Sequence, residues 1–193
     1  MSRPRSFDES AVLTGAMQAF RRTGFSTMSI RTLEEATGLS AGSIYNAYGD
    51  KAGLFKASFA HYLNEVLRRR IAAHAAPAKG LAGVRALFQS LLREPGGTSH
   101  GCLITNSAIE FGGDGLLPAD SLAEAFEILR AALQDRLADA QAANLLPPKL
   151  SPAVAALKLV AFYQGVLVLV RAGHDKRTLK QAIDLEFDTL ESA

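Results

Sequence analysis

The chain has 193 residues, of which 48% are hydrophobic and 21% are charged, and its formal net charge is +2. That length suits one domain of ordinary size or a small module fused to a larger one, and the apolar share excludes wholesale disorder or a collagen-like repeat. The single cysteine excludes an intrachain disulfide and a Cys-rich zinc site.

Two observations bear on location. The first ten residues, MSRPRSFDES, lack an apolar signal core, so we expect a protein that is not exported. The longest uncharged stretch near the C-terminus, residues 159–170, is shorter than the roughly 20 apolar residues that cross a bilayer. These features predict a cytoplasmic protein with no membrane partner.

Charge is unevenly distributed along the chain. Residues 1–80 contain 11 Lys and Arg against 6 Asp and Glu, whereas residues 81–193 contain 10 against 13. A basic N-terminal part fits a nucleic-acid-binding module that carries a second module, and chance asymmetry on a solvated surface is the alternative. Arg3 and Arg5 could form a basic arm that follows the minor groove, or a solvated tail.

Helical periodicity dominates and strand signals are nearly absent, so the predicted fold is all-α. Capping boxes are predicted at Ser6 and at Ser121, each followed three residues later by a glutamate. Asp50 is the predicted N-cap of the fourth helix. The remaining helices are expected at residues 29–37, 40–46, 78–92, 102–111, 121–144, 152–172 and 178–190.

The second and third predicted helices have the layout of a helix-turn-helix. Leu33 and Ala36 face inward, Gly38 supplies the tight turn, and Ile44 packs the next helix back. Such a unit presents its second helix to the major groove of DNA, which is wide enough for one α-helix. Any pair of helices joined by a glycine turn shares this pattern, so the spacing alone is moderately specific.

The next residues sharpen the interpretation. The segment Ile44-Tyr45-Asn-Ala-Tyr48-Gly-Asp-Lys51-Ala-Gly-Leu54-Phe55 resembles the signature of the TetR/AcrR family of bacterial transcriptional repressors. The similarity extends from Phe7 to about Leu63. It implies an N-terminal three-helix DNA-binding domain over residues 6–66 and a helical effector-binding and dimerisation domain over residues 67–193. It also implies a homodimer formed through the last two helices, and a repressor released from double-stranded operator DNA by a small, largely apolar or electrophilic effector.

The resemblance also implies which residues contact DNA. Tyr45 and Lys51 match phosphate-contacting positions, Ser29 matches the phosphate-binding start of the second helix, and Asn46 can pair with adenine. Ala47 stands where the family frequently has histidine, which removes one expected contact. The expected DNA-contacting residues are Ser29, Arg31, Ser40, Ala41, Gly42, Ser43, Tyr45, Asn46, Tyr48 and Lys51.

An effector pocket among the middle helices is a further implication of the resemblance. Cys102 opens a predicted helix whose free N–H groups would stabilise a thiolate, so it is either an electrophile sensor or an inert buried residue. The expected lining is Phe88, Leu92, Cys102, Asn106, Ile109, Glu110, Phe126, Phe162 and Tyr163.

Two other classes of protein stay open on the sequence. A small enzyme could use Cys102 with His100, and a helical interaction protein would have no DNA role. His61 and Glu65 could ligate a metal, but a pair of ligands is weak support. We expect no catalytic activity, no metal and no cofactor.

Residues 153–170 are apolar nearly all round and contain Gly165, a pattern that fits a dimer helix or the buried core helix of a monomer.

Overall fold

The computed structural model describes residues 7–93, 100–112, 117 and 119–192. These residues form helices and no strands, which confirms the all-α prediction. The α-helices are α1 Glu9–Thr23, α2 Ile30–Thr37, α3 Ala41–Tyr48, α4 Lys51–Tyr62, α5 Arg69–His74, α6 Gly80–Ser90, α7 Leu103–Phe111, α8 Ala119–Ala142, α9 Pro152–Arg171 and α10 Lys176–Ser192. Between α4 and α5 the chain makes a π-helical turn, Leu63–Arg68, and a 3₁₀ turn, Pro77–Lys79, precedes α6.

The two predicted capping boxes are corrected by the structure. Ser6 lies outside the described residues, and the N-cap of α1 is Asp8, whose carboxylate accepts a hydrogen bond from the Ala11 amide at 3.2 Å. Helix α8 begins at Ala119, so Ser121 lies within its first turn and is not its cap. Asp120 in that first turn explains the earlier start, because a negative charge is favourable at a helix N-terminus.

The chain divides into two compact units. The first contains residues 1–66 and 103–122, and the second contains residues 67–102 and 123–193. The π-helical turn contains the position at which the chain passes from the first unit to the second. Helix α7, which the sequence assigned to the C-terminal domain, is grouped with α1 to α4. The division into a DNA-binding domain over residues 6–66 and an effector-binding and dimerisation domain over residues 67–193 stays a prediction.

An aromatic cluster forms the core of the first unit. The rings of Phe20 and Phe55 meet edge to face with centroids 4.9 Å apart, and Phe25 lies 5.3 Å from Phe55. Phe111 of α7 packs against both Phe25 and Phe55, at 5.7 and 5.6 Å. Edge-to-face packing adds to the burial of these large side chains. Helix α7 is therefore part of the hydrophobic core beneath the helix-turn-helix.

The second unit has its own aromatic core. Phe88 of α6 is fully buried, and its ring contacts Phe162 at 5.7 Å, Tyr163 at 5.3 Å and Phe187 at 5.3 Å. Arg85 adds ion pairs from α6 to Asp188 and Glu191 of α10, at 2.6 and 3.2 Å. Helix α6 is thus held against both α9 and α10.

Helix α9 is longer than the uncharged stretch of the sequence. It runs for 20 residues, and by length and a mean hydropathy of 2.1 it could cross a bilayer, so the argument from the short stretch 159–170 was wrong. The reason is that Lys158 lies inside the helix, so the helix extends beyond the uncharged stretch at both ends. In the structure 44% of its most apolar 18-residue segment is buried within the protein, and one such helix is weak evidence for a membrane span.

Candidate nucleic-acid interface

The turn between α2 and α3 is built from local signals. Gly38 ends α2 in the left-handed conformation, with φ 71°, and its amide donates to the Glu34 carbonyl oxygen at 2.8 Å. Ser40 caps α3 by accepting from the Ser43 amide at 3.3 Å. The Glu34 carboxylate also accepts from the Ala41 amide at 2.6 Å, so a side chain of α2 holds the N-terminus of α3. The orientation of α3 is therefore fixed by the turn and by this carboxylate together.

Helix α3 has one buried side and one open side. Ile44 is fully buried, whereas Gly42, Ser43, Tyr45 and Asn46 are exposed. The Tyr45 side chain is 47% exposed although it is large and aromatic. No residue of α3 is acidic, so its outer face would not repel a phosphate backbone.

Helix α2 adds two of the expected DNA-contacting residues. Ser29 is its N-cap and accepts from the Thr32 amide at 3.1 Å. The Arg31 side chain is 88% exposed, and its Nε lies 3.5 Å from the Glu35 carboxylate. An exposed ion pair of this kind is worth little, so the guanidinium can exchange Glu35 for a phosphate at small cost.

Lys51 has a structural role that the sequence did not reveal. Its Nζ donates to the carbonyl oxygens of Phe25 and Met28, both at 3.0 Å, and lies 4.2 Å from the centre of the Phe25 ring. These bonds tie the start of α4 to the loop between α1 and α2. Tyr48, at the end of α3, is half-buried. Phosphate contacts by Lys51 and Tyr48 stay predictions.

Two residues expected in the effector pocket hold the loop that precedes α2. The Glu110 carboxylate accepts from the amides of Phe25 at 3.0 Å and Ser26 at 2.6 Å. The Asn106 side-chain amide donates to the Arg21 carbonyl oxygen at 3.1 Å. Their i, i+4 spacing, visible in the sequence, puts both on one face of α7, but the sequence does not show that this face meets the end of α1.

Lys51 and Glu110 act on the loop in complementary ways, and we call them the loop clamp. Lys51 binds carbonyl oxygens and Glu110 binds amide groups, so both kinds of backbone group are satisfied. Burial opposes ionisation of Glu110, but hydrogen bonds from Ser26 and Phe25 and the charge of Lys51 hold its pKa below the ordinary value. The carboxylate form is therefore the one that the fold selects.

Replacing Glu110 with glutamine is expected to destabilise the protein by about 1 kcal/mol at neutral pH, since charge-assisted hydrogen bonds to an exposed carboxylate are lost. A lowered pKa gives stability that is present above the unfolded-state value and is lost as pH falls through the folded-state value. The difference between Glu110→Gln and wild type should therefore shrink below the ordinary glutamate pKa of 4.5. Urea unfolding at pH 7 and in the acid range measures this.

Glu124→Gln is the matched control for that experiment. Its carboxylate is exposed and lies 3.5 Å from Arg68, so the same substitution removes only a weak surface pair. If Glu110→Gln and Glu124→Gln unfold at the same urea concentration as wild type, the loop clamp does not contribute to stability.

The nine expected effector residues fall into both units. Phe88, Phe162 and Tyr163 are in contact, Cys102 is buried just before α7, and Ile109 is 77% exposed. Effector roles for these residues stay predictions. The first unit contains Asn106, Ile109 and Glu110, and the second contains Phe88, Leu92, Cys102, Phe126, Phe162 and Tyr163.

No three His, Cys, Asp or Glu side chains come together as a metal site within the part of the chain that the structure describes.

The exposed, non-acidic α3, which follows a glycine turn, defines a helix-turn-helix DNA-binding protein. Comparison with known families agrees with that class. Residues 12–58 match the family model described as "Bacterial regulatory proteins, tetR family", and residues 80–185 match "Tetracyclin repressor-like, C-terminal domain". The chain belongs to the TetR family of transcriptional regulators, which confirms the resemblance.

Comparison with individual proteins also finds DNA-binding transcriptional regulators. The chain is 27% identical to the HTH-type transcriptional repressor ComR of Escherichia coli K12, over 93% of this chain and 87% of ComR. It is 33% identical to the transcriptional regulator YezE of Bacillus subtilis 168, over 57% of this chain and 58% of YezE. The chain also matches a solved structure of a cysteine mutant of the TetR family regulator CifR in complex with 26-bp operator DNA. The TM-score is 0.79 and the identity is 25%, over 96% of this chain and 98% of that chain. These matches favour the DNA-binding regulator over the enzyme and the interaction protein.

Proposed function

We propose that the protein is a homodimeric repressor that binds operator DNA through α3 of each subunit and leaves it when a small effector binds. The observation that carries the proposal is the exposed, non-acidic face of α3, held in place by Ser40 and Glu34. ComR is a repressor by name, and the CifR mutant was solved on operator DNA, which supports the same activity here. Such a protein acts in the bacterial cytoplasm, where the chromosome is.

The residues of α3 suit different parts of a DNA site. Asn46 has the donor and acceptor needed for a bidentate pair with adenine, whereas Tyr45 can donate to a phosphate. A Cβ added at Gly42 would meet no other atom within 4 Å, so the backbone there can approach a base edge closely. Arg31 on α2 adds a mobile positive charge.

A second copy of the chain fits the uncovered face of α9. Val154, Leu157, Ala161, Gly165 and Val168 follow one another at spacings of three and four, so they form one exposed stripe along the helix. Val154 is 68% exposed, Leu157 61% and Val168 47%. Small residues at the centre of the stripe would let a partner helix come close. On α10, Leu185 is a further exposed apolar side chain, at 67%. We infer that this stripe is the dimer contact.

The aromatic core of the second unit bears on where an effector binds. Phe88 is fully buried, and its ring is in contact with Phe162, Tyr163 and Phe187. Close packing of this kind has few voids larger than a water molecule. The cluster therefore favours an effector site in another part of the unit. Electrophile sensing at Cys102 stays a prediction.

The test is selection of binding sites from a pool of random DNA duplexes, followed by fluorescence anisotropy across a salt series. We expect an inverted repeat that is bound about a thousandfold or more tightly than scrambled DNA, with affinity that falls steeply as salt rises. Tyr45→Ala should weaken binding about tenfold, whereas Ile109→Ala, which truncates an exposed apolar side chain on α7, should not. The absence of any salt-dependent binding would overturn the proposal.

A further inference from the structure

The side chain of Glu34, on α2, reaches across the turn to α3. Its carboxylate accepts a hydrogen bond from the Ala41 amide at 2.6 Å, although Ala41 follows Glu34 by seven positions. Ala41 is the first residue of α3, where backbone amides have no partner within the helix and carry a partial positive charge. The half-buried Glu34 is therefore bound at the end of α3 where a negative charge is most favourable.

The other hydrogen bonds at the start of α3 are local. The Ser43 amide donates to the Ser40 hydroxyl oxygen at 3.3 Å, and the Ile44 amide donates to the Ser40 carbonyl oxygen at 3.0 Å. Both acceptors belong to the N-cap of α3, so these bonds shape the helix without relating it to α2. The bond from Ala41 to Glu34 differs, because its acceptor lies on the neighbouring helix.

The two ends of α3 are held in different ways. At the C-terminal end, a Cβ added at Gly53 of α4 would overlap the Tyr48 carbonyl oxygen, so the two backbones are in direct contact there. In the middle, Ile44 is the one buried side chain of the helix. A helix anchored at these two places can still tilt at its N-terminal end. The carboxylate of Glu34 fixes that end.

The residues expected to meet base edges lie close to the end that Glu34 holds. Gly42 and Ser43 directly follow Ala41, and Asn46 lies about one turn further along; all three are exposed. Hydrogen bonds to base edges require donor–acceptor distances of roughly 2.7–3.2 Å, so a shift of about 1 Å at this end of α3 breaks them. Phosphate contacts through a long side chain such as Arg31 can adjust to the same shift.

We propose that Glu34 is a positioning residue for operator recognition. It holds the N-terminal end of α3 at the angle at which this helix reads base edges, and it does so without touching the DNA. The inference rests on the proposed function, in which α3 enters the major groove. Base contacts specify a sequence, whereas phosphate contacts carry no sequence information. Glu34 therefore contributes to the preference for the operator and not to general affinity for DNA.

The experiment is fluorescence anisotropy of the full chain with two duplexes, the one that wild type selects from a random pool and a scrambled one. Glu34→Ala should lower the ratio of the two affinities about tenfold, comparable to the loss of one base contact. Affinity for scrambled DNA should stay within about threefold of wild type, because phosphate contacts are kept. Glu34→Gln retains an acceptor oxygen and should restore most of the ratio. A variant that is merely less well folded binds both duplexes more weakly by the same factor, so its ratio does not change.

Glu35→Ala is the matched control, because it removes the same charge from the next position of α2. Glu35 is exposed and lies 3.5 Å from the Arg31 side chain. Release of Arg31 for a phosphate contact acts on both duplexes alike, so the ratio should equal that of wild type. A ratio that falls as far in Glu35→Ala as in Glu34→Ala would assign the effect to charge and overturn the proposal.

Ala41→Pro removes the donor of the same hydrogen bond. Proline is favoured at the first position of a helix, and Ser40, extended at ψ 156°, accommodates a proline after it. In the Ala41→Pro background, Glu34→Ala should leave the ratio unchanged, because the bond is already absent. An undiminished effect in that background would show that Glu34 acts through another contact, and the proposal would be wrong.

The remaining outcomes separate this inference from the proposed function. Circular dichroism establishes that each variant is folded, and Ala41→Pro alone gives the same test if Glu34→Ala does not fold. A Glu34→Ala protein with the wild-type ratio overturns the positioning role and leaves the proposed function standing. A wild-type chain that binds both duplexes equally overturns the proposed function itself.

Discussion

Replacing Gly15 with alanine is expected to destabilise the protein by about 3 kcal/mol or more, the upper range for overpacking of a core. A Cβ at this position of α1 would lie 2.1 Å from the carbonyl oxygen of Ala36 in α2 and 3.1 Å from its carbon. The neighbour is backbone, so no side-chain rotation relieves the clash and α1 must move away from α2. The gain of about 1 kcal/mol that alanine brings to a helix cannot offset this displacement.

Gly42→Ala is the matched control, because it makes the same chemical change in an open position. Nothing lies within 4 Å of the added Cβ, and Gly42 is inside α3. We expect this variant to be more stable than wild type by about 0.5–1 kcal/mol. Thermal and urea unfolding monitored by circular dichroism compare the two. A Gly15→Ala protein as stable as Gly42→Ala would show that α1 and α2 do not pack this closely.

The helix-turn-helix was predictable because its signals are local. Ser29 and Ser40 cap the helices that immediately follow them, and Gly38 takes the left-handed conformation that a glycine adopts most easily. Each of these signals is read from a few neighbouring residues. The burial of Leu33 and Ile44 follows from the helical period alone.

The loop clamp could not be predicted because it joins distant parts of the chain. Glu110 follows Phe25 by 85 positions, and Lys51 follows it by 26. In the sequence, Lys51 and Glu110 look the same as any charged residue on the solvent-exposed face of a helix. The period of α7 shows which residues share a face but not which unit that face joins. The assignment of α7 to the effector region therefore depended on the family layout, and the structure groups it with the first unit.

The π-helical turn and a cleft of about 380 Å³ between α5 and α6 could not be predicted for related reasons. Residues 63–68 contain no glycine or proline, so nothing in the sequence marks a change of helical register there. Arg70 and Arg93 are separated by an entire helix, and each is typical of a surface charge when considered alone. Only the packing of α5 against α6 brings them to one cleft. The largely apolar effector was predicted from apolar and aromatic residues such as Phe88, Phe162 and Tyr163, which pack together in the second unit, and the nature of the effector stays a prediction.

Gly165→Leu is expected to prevent formation of the proposed homodimer and to weaken operator binding about a hundredfold or more. Within one subunit a Cβ at Gly165 meets nothing within 4 Å, and leucine is a better helix former than glycine, so the folded monomer should be at least as stable. At the centre of the apolar stripe on α9, the added side chain would instead push a partner helix away. Two linked recognition helices bind a palindromic site far more tightly than one, since the second contact becomes intramolecular.

Ala138→Leu on α8 is the control, because it adds a similar bulk at an exposed helical position outside the stripe. Sedimentation equilibrium gives the oligomeric state of both variants, and anisotropy on a full operator and on a half-site gives their DNA affinity. Gly165→Leu should bind the two DNAs almost equally, whereas wild type and Ala138→Leu should prefer the full operator. A dimeric Gly165→Leu protein would place the dimer contact elsewhere. A monomeric variant that retains full operator affinity would show that each subunit recognises DNA alone, and the symmetric repressor proposed here would be wrong.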